Sequence, residues 1–112
     1  MNASSRQARQ SIRNRTRTQR AAARITRRGT GTLTTHAIAA GLTPRQASSV
    51  ASSLRKAATK LGITGQAGIA YRKGRARACT RYTRAQVAAL TVVYRPRRAD
   101  YQACAARLAL AA

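Results

Sequence analysis

Acidic residues are almost missing from this sequence. Asp100 is the single Asp or Glu among 112 residues, against 23 Lys and Arg, which leaves a formal charge of +22. One carboxylate cannot serve as the acid and base pair of a hydrolase, nor build an acidic cage for magnesium or calcium. Phe and Trp are absent, and His36, Cys79 and Cys104 are the only imidazole and thiols, one ligand short of a four-ligand zinc site. We therefore expect no metal, no cofactor and no enzymatic activity. Large aliphatics are also scarce: Val, Ile and Leu number 16 of 112, so the core must be small and rich in alanine. No apolar run reaches the roughly 18 residues a membrane span needs. The N-terminus shows no apolar stretch of a secretory signal, and a cytoplasmic, nucleoid-associated protein is expected.

What is present in quantity is arginine, 20 of the 23 basic residues. Such a chain is built to meet a polyanion. The first 20 residues carry Arg6, Arg9, Arg13, Arg15, Arg17 and Arg20 with no apolar face, which reads as a disordered basic arm that could become helical on binding phosphate. Residues 21–28 close a short helix burying Ala22 and Ile25 before Gly29 and Gly31, and Thr30–Leu33 suits a brief strand. Thr43-Pro44-Arg45-Gln46 is a strong helix start: Thr43 caps, Pro44 suits the first helical position, and Gln46 completes a capping box. Ala47, Val50, Leu54, Ala57 or Ala58, and Leu61 then repeat with helical spacing up to Gly62.

Residues 68–82 alternate with period two around Lys73-Gly74. A two-residue loop there pairs Arg72 with Arg75 and Ala70 with Arg77 on one face, and Tyr71 with Ala76 and Ile69 with Ala78 on the other. Tyr71 and Tyr82 could stack on bases, but the apolar face favours packing of Tyr71 into the core. Cys79 is a small filler on the basic face. Thr83-Arg84-Ala85-Gln86 is a second capping box, followed by Val87, Leu90 and Tyr94 on one helix face up to Pro96. From about Arg97 a last helix aligns Tyr101, Cys104, Leu108 and Ala111. Lone His36 reads as a packed or capping residue.

Around the capped helix the order becomes specific. A short helix with Ala37 and Ala40, the turn glycine Gly41, apolar Leu42, then Ala47 and Val50 resembles a winged helix-turn-helix DNA-binding protein, with residues 68–82 as the wing. His36 departs from that pattern, which prefers an aliphatic there, and Ile38 is placed to take over the packing. The resemblance implies a mainly α fold with a small β-hairpin: a basic arm (1–20), the winged domain (21–82) and two C-terminal helices (83–112). It also implies double-stranded DNA as partner, with Arg45, Gln46, Ser48, Ser49, Ser52 and Ser53 facing bases, and Arg55, Lys56 and Lys60 facing phosphate. Wing residues Arg72, Lys73, Arg75, Arg77 and Arg81, and arm residues Arg13, Arg15, Arg17 and Arg20, complete the interface. The C-terminal stripes suggest a homodimer on a palindromic site. The expected role is a small transcriptional regulator of a phage or mobile element with a GC-rich genome. Two rivals are an RNA-binding structural protein of the ribosome-associated kind and a nucleoid-packing protein without sequence preference; charge alone does not separate DNA from RNA. The ending Ala109-Leu110-Ala111-Ala112 resembles the close of the bacterial tmRNA-encoded degradation tag.

Overall fold

A computed structural model describes residues 3–111; Met1, Asn2 and Ala112, the last residue of the tag-like ending, lie outside the described residues. The chain is mainly helical, with five helices and one two-stranded antiparallel sheet among the described residues. Helix α1 runs Ala3–Arg28, α2 Leu33–Ala39 and α3 Pro44–Leu61; strands β1 (Gln66–Arg72) and β2 (Arg75–Arg81) follow, then α4 (Arg84–Leu90) and α5 (Ala99–Leu110).

The arm expected to be disordered is the start of α1. One 26-residue helix continues from Ala3 to Arg28, of which only Ala21 and Ile25 are buried. Ala, Arg and Gln are good helix formers, and no Gly or Pro interrupts them before Gly29. The packed last two turns supply the nucleus from which the earlier turns propagate, which a search for an apolar face misses. Gly29, at φ +77°, ends the helix. Of the brief strand expected at Thr30–Leu33, a single bridge between Gly31 and Tyr82 forms, and Leu33 already opens α2.

The capped helix stands where the sequence places it. Thr43 and Gln46 form the reciprocal capping box, and Gly62 closes α3 in the left-handed conformation. Between α2 and α3 the chain turns at Gly41, whose φ of +104° disfavours any side chain, and the Arg107 guanidinium occupies the place of a Cβ. The hairpin register is also as read: Arg72 pairs with Arg75, Tyr71 with Ala76, Ala70 with Arg77 and Ile69 with Ala78. Lys73 (φ +52°) and Gly74 (φ +74°) form the loop, the positive-φ pair of a type I′ turn.

One core gathers Leu33, Ala37, Val50, Leu54, Tyr82, Val87, Leu90, Cys104 and Leu108. It therefore extends past Tyr82 into both C-terminal helices. Most of the α4 and α5 stripes expected to pair two copies is covered within the same chain: Val87, Leu90, Cys104 and Leu108 are buried, with Tyr94 and Tyr101 packed against them, while Ala111 is exposed. The α4 helix stops at Leu90 and continues as turns to Val93. Tyr71, expected in the core, is instead solvent-exposed, because only the hairpin base reaches the core, through Tyr82.

Candidate nucleic-acid interface

On α3, the buried positions Ala47, Val50, Ala51, Leu54, Ala57 and Ala58 occupy one side. The opposite side carries Arg45, Ser48, Ser49, Ser52, Ser53, Arg55, Lys56 and Lys60, all exposed. At 3.6 residues per turn these outward residues share an arc of about 160°, a continuous polar and basic strip. Ser52 returns its hydroxyl to the Ser48 carbonyl at 3.3 Å.

Gln46 does not belong to that strip. Its Oε1 accepts from the Thr43 backbone N–H at 3.2 Å, and its Nε2 donates to Asp100 Oδ2 at 3.0 Å. Both ends of the amide are engaged, so Gln46 is a structural tie and not a base reader. Asp100 also takes two hydrogen bonds from Arg98, at 3.1 and 2.8 Å, and Arg98 stacks 4.5 Å from the Tyr101 ring centroid. The only acidic residue thus anchors the start of α5 to the start of α3. It brings exposed Arg98 beside the N-terminal end of the strip, a cation the motif reading did not include.

The hairpin displays Arg72, Lys73, Arg75 and Arg77 in the open. Arg81 is half-buried: its guanidinium folds across β1, donates to the Ile69 carbonyl at 3.1 Å and lies over Gly68. A Cβ at Gly68 would collide with it, so this glycine makes room for the arginine.

On α1 the arginines are ordered. Arg6, Arg9, Arg13, Arg17, Arg20, Arg24 and Arg27 recur every three or four residues and, together with Arg28, lie within an arc of about 100°. Arg15 alone lies on the other side. From Arg6 to Arg28 the stripe is about 33 Å long at 1.5 Å per residue. A helical wheel for charge, rather than for apolar residues, reveals it in the sequence. Its end is joined to the rest of the basic surface: Arg24 and Arg28 line a cleft of about 670 Å³ with Arg55 of α3 and Arg72 and Arg81 of the hairpin. Tyr71 and Ile69 border the same cleft.

Three further polar side chains, His36, Arg84 and Arg107, are tied into the fold. His36 is buried and its Nε2–H donates to the Tyr82 carbonyl at 2.7 Å. Burial, aided by the nearby Arg84 charge, lowers its pKa below the ordinary 6.5 despite the carbonyls of Tyr82 and Gly31 that favour the charged ring. Ile38 is only half-buried, so the imidazole itself fills the place expected for an aliphatic. Arg84 donates to Ala22 O and Thr26 Oγ1 of α1, and Arg107 to the Ala40 carbonyl at the end of α2. Cys104 is buried, which pushes its thiol up to about 11.

No helix of the described residues is long and apolar enough to cross a membrane. Comparison with protein-family models, curated proteins and solved structures finds no match.

Proposed function

We propose that this protein binds double-stranded DNA as a winged helix-turn-helix regulator, with α3 in the major groove. The observation that carries the reading is the uncovered strip of α3, flanked by a basic hairpin and preceded by a short helix and a glycine turn. An α-helix fits the major groove, and short serines allow close approach to base edges. The Gly31–Tyr82 bridge supports the winged form, because it joins the segment before α2 to the end of β2, as the first strand of a winged domain would. Arg45, at the exposed first turn of α3, is the residue placed to read guanine O6 and N7. Arginines of α1 and the hairpin hold phosphates and set the register.

The test is selection of bound duplexes from a random library near physiological salt, repeated with Arg45→Ala. A defined motif is expected, and the variant should lose about 1–3 kcal/mol on it and relax one base position. Uniform recovery of all duplexes would make the protein a non-specific packing protein. Preference for folded RNA over duplex would overturn the proposal.

A further inference from the structure

The hairpin presents an apolar face to solvent, and two of its residues, Ile69 and Tyr71, border the arginine-lined cleft. Ile69 is 58% and Tyr71 78% exposed, and their cross-strand partners Ala76 and Ala78 are exposed as well. Nothing in the fold requires this. Elsewhere the exposed large apolar side chains, Ile12, Leu61, Val92 and Leu110, are far apart in sequence, whereas here two stand on one strand face, and the strand alternation could have put polar residues there at no cost to the type I′ turn. Tyr71 lies one pair from the hairpin tip, where two strands make a thin blade ending in Lys73 and Gly74. The cleft beside the blade is lined by Arg24, Arg28, Arg55, Arg72 and Arg81.

An exposed apolar face covered by another protein would have to bring that partner against five arginines. A nucleic acid satisfies both features at once. Base faces are apolar and stack on aromatic rings, and the phosphates that join them are anionic. In a fully stacked duplex those faces are hidden, so the apolar side chains can be used only where a step is opened. Apolar wedges do this from the minor groove, unstacking a step and kinking the duplex.

We propose that the hairpin is a wedge: Tyr71 and Ile69 enter an opened base step of the bound duplex, while Arg24, Arg28, Arg55, Arg72 and Arg81 receive the phosphates of the strand drawn toward the cleft. The protein then bends DNA as well as reading it. Neutralising phosphates on one side of a duplex and opening a step both favour the bend, and the bend lets the α1 stripe and the α3 strip contact one continuous site. This inference rests on the duplex-DNA reading above.

The experiment compares two duplexes that differ by one unpaired adenine at the centre, with end-to-end energy transfer reporting the bend. A bulge supplies the unstacked step in advance, so wild-type protein should bind the bulged duplex about tenfold or more tighter, and should shorten the end-to-end distance of the paired one. Tyr71→Thr and Ile69→Thr keep strand propensity at exposed positions and, combined, should abolish both the preference and the bend. Unchanged thermal melting of the variant shows that the fold is intact. Equal affinity of wild type for both duplexes with no bend would overturn the wedge and leave duplex binding standing. A preference that survives in the double variant would remove the hairpin from the role. Binding to neither duplex would overturn both this inference and the reading it rests on.

Discussion

Replacing Arg6, Arg9, Arg13, Arg17 and Arg20 with Gln removes five cations from the α1 stripe and keeps good helix formers in place. Over this stretch the stripe extends about 21 Å, and B-DNA presents one phosphate per about 1.7 Å of its axis, so partners are not limiting. Each lost phosphate contact reduces the slope of log affinity against log salt by about 0.9, so the variant should be shallower by about 4.5. Between 50 and 200 mM salt, the variant's loss of affinity should then be about 500-fold smaller than the parent's. Arg15→Gln, on the opposite side of α1, should leave the slope unchanged, where loss of one phosphate contact would reduce it by about 0.9. The assay is a fluorescence-anisotropy titration across that salt range. The free variant should also be at least as helical by circular dichroism, because like charges three and four apart oppose the helix by about 0.2–0.5 kcal/mol per pair. That control separates lost contacts from lost structure. A five-site variant within one unit of the parental slope would refute the reading of α1 as a binding element.

Four further outcomes follow from the core. Gln46→Ala removes a capping box and the link to Asp100, and should lower stability by about 1–2 kcal/mol in urea unfolding while leaving base preference intact. Leu108→Asp places a charge where Leu108 is 4% exposed, so circular dichroism should show an unfolded monomer, not a folded protein that fails to dimerise. His36 has a lowered pKa, so the unfolded chain takes up a proton before the folded one as pH falls below about 6.5. Stability should be full above that pH and decline below it until the folded ring protonates; with Asp100 the single acidic side chain, a denaturant midpoint flat from pH 7 to 5 would contradict the buried neutral ring. Under native conditions an alkylating reagent should label half-buried Cys79 and spare Cys104, as mass spectrometry of the intact protein would show.

Local chemistry was legible residue by residue. Thr43 and Gln46 around Pro44, Gly62 after Leu61, and Lys73-Gly74 between alternating strands each fix a backbone geometry through their immediate neighbours, so α3 and the hairpin register follow from sequence. The α3 strip was readable for the same reason, since burial of Val50 and Leu54 dictates which side remains outside. What depended on distant parts of the chain could only be decided by the tertiary structure. In sequence Gln46 reads both as a capping-box residue and as a base reader; the cap uses its Oε1, and the approach of Asp100, 54 residues later, engages its Nε2 as well. The C-terminal stripe of Cys104 and Leu108 looks the same in sequence whether it meets a second copy or its own core; packing against Val87 and Leu90 assigns it to the core. The alternation that puts Tyr71 on an apolar face is local, but whether anything covers that face depends on how far the hairpin stands from the body. Periodicity names a face; the distance to the next element decides what the face meets.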